Sequence, residues 1–162
     1  MAANRVAFTV LGEPQPQGSK TVVQQRGRRP RVIEDNPDTR PWRERVERAA
    51  LEAMAGRPPL EGPLELRAVF VFRRPGSHFG TGRNAGRLKP SSPLYVRTRP
   101  DADKLLRAIG DAITTIVCRD DAQLVIVHAE KHYGAPAAAH LRVAELDPED
   151  DRPGPDALEA SG

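Results

Sequence analysis

The segment "RPDADKLLRAIGDAITTIVCRDDAQLVIVHAEKHYG", residues 99–134, contains two acidic pairs, Asp101 with Asp103 and Asp120 with Asp121. Between the pairs, apolar residues recur every three or four positions, which predicts an amphipathic helix with one buried face. A strongly β-branched run follows the second pair and predicts a strand. The segment therefore predicts a helix packed on a sheet, with carboxylates before the helix and before the strand.

The remaining chain adds another helix and three more main strands. The last strand follows a Gly/Pro turn, which predicts a hairpin with the strand before it. The order β, α, β, α, β, β predicts an α/β (α+β) fold, a single compact domain with two main helices on a mixed sheet. We expect strands over residues 6–12, 62–74, 122–134 and 138–146, and helices over residues 38–56 and 103–116.

The 162 residues suit one domain, and 38% hydrophobic content suffices for a core. We assign residues 1–146 to this domain and expect the acidic, apolar-poor residues 147–162 to be a disordered tail. Residues 75–98 form a long insert rich in glycine, proline and basic side chains. This composition predicts a flexible arm over phosphates, with disorder without function as the alternative.

Charge is distributed unevenly along the chain. Residues 1–100 carry 19 Lys/Arg and 9 Asp/Glu, whereas residues 147–162 carry 1 and 6. A basic body attracts polyanions, and nucleic acid is the commonest of these. The alternative is an arginine excess that serves only solubility.

The sequence argues against a membrane protein and against thiol or zinc chemistry. It contains no run of about 18 apolar residues, so we expect no membrane span. The single cysteine, Cys118, fits a cytoplasmic protein, and we expect an exposed, non-catalytic thiol. His128 and His132 lack enough His or Cys partners for a zinc site, so we expect surface or structural roles.

The acidic pairs are the candidate metal ligands, since Mg²⁺ prefers carboxylate oxygens together with water and substrate phosphates. If Asp121 contributes, the strand that it opens must run beside the start of the helix. For Asp103, the structural alternative is a helix cap. For Asp120 and Asp121, the alternative is an ordinary polar turn. Arg107 lies four residues after Asp103, where it either forms helix ion pairs or holds a phosphate.

Taken together, these motifs resemble the RusA family of Holliday junction resolvases. The family pattern is (K/R)PDxDNLxKxxxDAL, a short gap, an aromatic, DDxQV, and a strand that ends in lysine. This chain offers "RPDADKLLRAIGDAI", then "VCRDDAQLVIVHAEKHYG". The opening "FTVLGEPQPQGSK" and the helix "TRPWRERVERAALEAM" are also similar to the family, so the resemblance covers about residues 6–146.

The resemblance implies a homodimeric nuclease that requires Mg²⁺, with Mn²⁺ as a substitute, and that cuts branched, four-way DNA junctions symmetrically in recombination and repair. The family's essential carboxylates fall on Asp101, Asp103 and Asp121, and Asp120 matches a neighbouring acid of less certain role. Arg107 stands where the family has a catalytic lysine, and Lys104 where it has asparagine. Cys118 replaces an aromatic residue.

The sequence leaves two alternative functions. A junction-binding protein that has lost catalysis is the alternative function, and a different Mg²⁺ enzyme, such as a nucleotidyltransferase, is a third. The latter would need a glycine-rich nucleotide-binding turn before the acids, which "TRPDAD" lacks.

The candidate DNA-binding residues are Lys20, Arg26, Arg28, Arg29, Arg31, Arg83, Arg87, Lys89, Arg97, Arg99 and Lys104.

Overall fold

The structure is a computed structural model that describes residues 4–18, 20–34 and 36–147, so the predicted tail lies outside the described residues except for Asp147. Each predicted helix and main strand is present, with its ends within three residues of the predicted positions. The elements are β1 (Arg5–Leu11), β2 (Lys20–Val23), β3 (Arg31–Glu34), α1 (Thr39–Met54), β4 (Leu64–Phe72), α2 (Ala102–Ile113), β5 (Leu124–Tyr133) and β6 (Ala138–Glu145).

The main sheet has the strand order β1-β6-β4-β5, in which β4 and β5 are parallel and the other neighbours antiparallel. The predicted hairpin between the last two strands is therefore wrong. Because α2 connects β4 to β5 as a crossover, β5 takes one edge of β4. The chain then passes the end of β4, and β6 fills the space between β4 and β1.

Both helices pack on one face of this sheet, which confirms the layered α/β fold. The buried side of α1 repeats every four residues, with Trp42, Val46, Ala50 and Met54. Phe70 of β4 is fully buried under the helices. Burying a side chain of this kind stabilises the fold by roughly 1.5–3 kcal/mol. From α2, the core receives Leu105, Ala108, Ile109, Ala112 and Ile113.

A separate ribbon of β2 and β3 projects its basic turn away from the core. The two strands pair from Val23 with Arg31 to Lys20 with Glu34. Gly27 in the turn has φ +83°, a left-handed conformation that favours glycine. Val22 and Val32 are exposed on the ribbon. The ribbon therefore carries basic and apolar side chains to the surface together.

Residues 75–98 form a loop with internal backbone hydrogen bonds and two short 3₁₀ turns, so the segment is not without local structure. Gly80 N donates to Arg87 O (2.9 Å) and Lys89 N donates to His78 O (2.9 Å). A Cβ at Gly80 would lie 2.7 Å from Asn84 O, which only glycine avoids. Hydrogen bonds inside the loop thus supply the order that its glycine- and proline-rich composition does not suggest.

Among the described residues, no helix has the length and apolar content needed to cross a bilayer.

Candidate active site

The start of α2 presents two carboxylates to solvent. Asp101 occupies the N-cap position with extended backbone angles (φ −72°, ψ 140°), but its side chain makes no capping hydrogen bond. Asp103 lies inside the first turn, and both residues are exposed. Since Asp101 rather than Asp103 holds the cap position, helix capping explains neither carboxylate.

Two basic side chains on the same helix also have no partner among the described residues. Lys104 and Arg107 are exposed, and no hydrogen bond or ion pair joins either side chain to another described residue. The ion pairs of Arg107 with Asp103 and Asp111, which the sequence left open, are absent over the described ranges. Two free carboxylates and two free cations therefore share the first turns of α2.

Lys131 of β5 fixes the backbone that leads into this helix. Its Nζ donates to Thr98 O (2.8 Å) and to Pro100 O (2.8 Å), directly before Asp101. On the other side, Gln17 N donates to Lys104 O (3.0 Å). Sequence reasoning gave Lys131 no role, although the lysine that ends the family's strand pattern was the available signal. Lys131 acts as a positioning residue for the first acidic pair.

The second acidic pair lies in a 3₁₀ turn over Asp121–Gln123, just before β5. Asp120 Oδ1 accepts from Ala122 N (2.8 Å), and Gln123 Oε1 accepts from Asp120 N (3.2 Å), so the two side chains form a capping box. Asp121 is exposed, and its carboxylate contacts no described donor. One acid of this pair is thus committed to the turn, and the other is free.

The two pairs lie at opposite ends of α2. A Cβ added at Gly110, near the end of α2, would lie 4.0 Å from Leu124 Cδ1 at the start of β5. Lys131, near the end of β5, instead reaches the start of α2. A 12-residue helix spans about 18 Å. The condition for Asp121 to join the first pair, that the strand opens beside the helix start, is therefore not met within one chain, because helix and strand are antiparallel and only the end of β5 reaches the start of α2.

The first pair supplies carboxylates of the kind that Mg²⁺ binds. The described residues contain no group of three His, Cys, Asp or Glu side chains close enough to hold a metal ion. Mg²⁺, however, is commonly bound by one or two carboxylates, with water and substrate phosphate as the other ligands. Asp101 and Asp103 supply two exposed carboxylates of this kind. Asp120 is a poorer candidate ligand, because one of its oxygens already holds the turn.

A cavity of about 470 Å³ lies directly before the first acidic pair. Thr98, Arg99 and Pro100 form one wall, and Arg73 contributes a cation. The lining also includes residues 13–16, which belong to the stretch "FTVLGEPQPQGSK" of the resemblance. The cavity therefore offers space and positive charge beside the carboxylates.

The predicted DNA-contact residues fall on three surfaces. Arg26, Arg28, Arg29 and Arg31 are exposed on the ribbon, whereas the side chain of Lys20 lies outside the described set. Arg83, Arg87 and Lys89 are exposed on the 75–98 loop, and Arg97 and Arg99 are exposed on the irregular segment that leads into α2. All of the described members are thus accessible, and Lys104, directly after Asp103, is closest in sequence to the carboxylates.

Cys118 is buried, so the expected exposed thiol is wrong. The chain folds back after α2, and Leu60 lies against this turn. Leu60 N donates to Val117 O (2.7 Å), directly before Cys118. Burial raises the pKa of the Cys118 thiol, and the nearby charges of Asp121 and Asp120 raise it further, against a lowering hydrogen bond with Thr114. A neutral, covered thiol takes no part in surface chemistry.

Comparison with known proteins identifies a family that this sequence matches. The sequence matches the family described as "Endodeoxyribonuclease RusA" over residues 12–144, a span that includes both acidic pairs, Arg107 and Lys131. It is also 24% identical over 143 residues to "Uncharacterized protein YqaN" of Bacillus subtilis (strain 168). That alignment covers 87% of this chain and 96% of the relative.

Proposed function

The chain belongs to the RusA family of endodeoxyribonucleases, and we propose that it resolves four-way DNA junctions as a Mg²⁺-dependent homodimer. The observation that carries this proposal is the free carboxylate pair Asp101 and Asp103 at the start of α2. Neither side chain caps the helix or pairs with a described residue. An exposed carboxylate pair without a protein partner leaves its oxygens open to Mg²⁺, which is commonly bound by one or two carboxylates together with substrate phosphate.

In this proposal, Asp101 and Asp103 hold the metal ion, and Asp121 is the third essential carboxylate. The ion supplies charge stabilisation at the phosphate and activates water for hydrolysis. Arg107 pairs with the scissile or neighbouring phosphate through its guanidinium. Because arginine does not deprotonate in proteins, Arg107 contributes charge and orientation and no proton transfer. Lys104 adds a second, weaker phosphate contact.

The exposed basic residues hold the arms of the junction. Contacts to phosphates position DNA without reading its sequence, and they weaken as salt rises. Arg99 continues the site along the backbone of the cut strand, whereas the ribbon and the 75–98 loop contact more distant duplex. Paired cuts require two sites related by a two-fold axis, like the strands of the junction itself.

The replacement of asparagine by Lys104 and of lysine by Arg107 favours one alternative, a junction-binding protein with weak or no catalysis. Both substitutions keep phosphate affinity, but they alter the side chains nearest to the carboxylates. Tight junction binding without cutting in either Mg²⁺ or Mn²⁺ would support this alternative. Cutting by the unmodified chain excludes it.

The test compares Asp103→Asn with the unmodified chain on a labelled synthetic four-way junction. We expect cutting to fall by at least about 100-fold with junction binding retained, because the metal ligand is lost while phosphate contacts remain. Glu52→Gln is the matched control, since it removes one exposed carboxylate from the far end of α1. Equal cutting by Asp103→Asn and the unmodified chain would refute the proposal.

A further inference from the structure

The cavity before the first acidic pair lies at the carboxyl ends of the two parallel strands. Phe72 ends β4, Tyr133 ends β5, and both residues line the cavity. Ligands of α/β sheets commonly bind outside the carboxyl ends of the strands, where the connecting segments leave a crevice. The volume of about 470 Å³ falls within the range of roughly 300–1,000 Å³ that small-molecule sites occupy. The cavity is therefore a binding site by position and by size.

Most of the cavity lining is rich in carbon. Seven of the thirteen lining residues are proline, valine, phenylalanine or tyrosine. The ring of Tyr133 is held in place by the guanidinium of Arg74, 5.5 Å from the ring centroid, and by the ring of His78, which packs edge-on with 4.8 Å between the centroids. Apolar and aromatic walls of this kind favour a flat heteroaromatic ring, since unstacked bases pack on such side chains.

Two amide side chains add hydrogen-bonding groups to the same lining. Asn36 Nδ2 donates to Gln15 Oε1 (3.2 Å), and Asn36 Oδ1 accepts from Asp38 N (3.1 Å). An amide nitrogen carries two N–H groups, and an amide oxygen accepts two hydrogen bonds. Over the described residues, one N–H of Asn36 Nδ2 and one lone pair of Gln15 Oε1 therefore stay free. A donor beside an acceptor matches the edge of a nucleobase.

The segment of residues 13–17, which includes part of this lining, is fixed to both helices. The fully buried Thr39 donates through Oγ1 to Pro16 O (2.8 Å), which ties the segment to the start of α1. Gln17 N donates to Lys104 O (3.0 Å), which ties it to the start of α2. A site held on rigid elements loses little conformational freedom when it binds a ligand. The cavity is thus formed in advance, at a fixed place relative to the first acidic pair.

We propose that this cavity holds an unstacked nucleobase of the strand to be cut, from a nucleotide next to the scissile phosphate. The proposal rests on the proposed function, which places that phosphate at the first acidic pair. Gln15 and Asn36 contact the edge of the base, and the apolar walls cover its faces. Arg73 and Arg99, which are exposed and also line the cavity, pair with the neighbouring phosphates.

A base site of this kind gives the protein a preference for branched DNA over duplex. Taking a base out of a continuous stack costs a few kcal/mol, and the cost is least where stacking or pairing is already lost. The branch of a four-way junction interrupts the stack, so a base at the branch enters the cavity more easily than a base within a duplex. Cutting within an intact duplex is correspondingly slower.

The base contact is tested with labelled junctions in which one of the two nucleotides that flank the cut lacks its base. Gln15→Ala removes one amide from the cavity, and Gln25→Ala is the matched control on the ribbon turn, outside the lining. We expect Gln15→Ala to cut the intact junction about 10-fold more slowly than the unmodified chain or Gln25→Ala. At one of the two positions, loss of the base should slow the unmodified chain about 10-fold as well. On that junction, Gln15→Ala and the unmodified chain should cut at equal rates, because the partner of Gln15 is absent.

A second measurement does not depend on cutting. The fluorescent adenine analogue 2-aminopurine, which brightens when it leaves the base stack, is placed at each branch nucleotide in turn, in excess chelator. We expect its emission at one position to rise when the unmodified chain or Gln25→Ala binds. Thr98→Tyr places a larger side chain at an exposed position of the lining, so this variant should bind the junction without that rise.

The outcomes separate the base site from the proposed function. Equal cutting of intact and abasic junctions by the unmodified chain, or the same slowing by Gln15→Ala on both, would overturn the base site. An equal rise of emission with Thr98→Tyr would overturn it too. If the unmodified chain cuts no junction at all, the proposed function fails, and the fluorescence result still decides whether the cavity holds a base.

Discussion

The two acidic pairs look alike in sequence but differ in the folded chain. At the start of α2, Asp101 stands in the cap position without capping, and Asp103 is equally free. In the turn before β5, Asp120 caps through its Oδ1 and only Asp121 stays free. Local backbone geometry, rather than the spacing of acids, therefore decides which carboxylate is structural. Three carboxylates, not four, are free of hydrogen bonds to other described residues.

The largest expected effect comes from removing the free acid of the second pair. Asp121→Asn should reduce junction cutting by at least about 100-fold, because a lost charge at the reaction centre is not compensated. The melting temperature should stay unchanged, since Asp121 contacts no described donor. Cutting rates and thermal unfolding of the same preparation check this. Cutting by Asp121→Asn at the normal rate would mean that Asp101 and Asp103 act without Asp121.

A smaller effect on cutting is expected from substitution of Arg107, and its size measures what this residue adds to the first acidic pair. Arg107→Gln removes one charge-assisted phosphate contact, worth about 1.5 kcal/mol, and should slow cutting about 10-fold. Arg107→Lys restores the residue of the family pattern and should cut as fast as the unmodified chain or faster. Single-turnover rates at saturating enzyme measure both. Equal rates for the glutamine variant and the unmodified chain would exclude a catalytic contact.

The smallest effect on cutting is expected from the capping acid. Asp120→Ala removes the hydrogen bond to Ala122 N and should lower the free energy of unfolding by about 1 kcal/mol. For a chain of this length, the melting temperature falls by roughly 2–4 °C. Cutting measured well below that temperature should stay within about 3-fold of normal. A loss as large as that of Asp121→Asn would show that Asp120 is a ligand instead.

The sequence was informative where local pattern controls structure. The apolar spacing of Leu105, Ile109 and Ile113 predicted α2, because a helix face repeats every 3.6 residues. The predicted hairpin of the last two strands was wrong, because strand partners depend on the whole sheet. β6 pairs with β4 on the side away from β5. Hydrogen bonds within the 75–98 loop, such as Gly80 N to Arg87 O, give local structure to a segment whose composition suggested flexibility.

For the site, the sequence could name its carboxylates but not their arrangement. The resemblance identified Asp101, Asp103 and Asp121, and all three are exposed and free in the structure. Whether a strand runs parallel or antiparallel to the preceding helix is set by long-range packing, so the sequence could not show that the start of β5 lies away from the start of α2. The same limit hid Lys131, whose partners Thr98 and Pro100 lie on another segment.

The central claim, a metal-dependent junction nuclease, is tested most directly with a four-way junction that carries a different fluorophore on each strand. The unmodified chain is incubated with Mg²⁺, and a parallel sample contains excess chelator. We expect cuts at symmetric positions in two opposite strands with Mg²⁺ and none with chelator. Tight binding without cuts in both Mg²⁺ and Mn²⁺, or equal cutting in the chelator, would contradict the account.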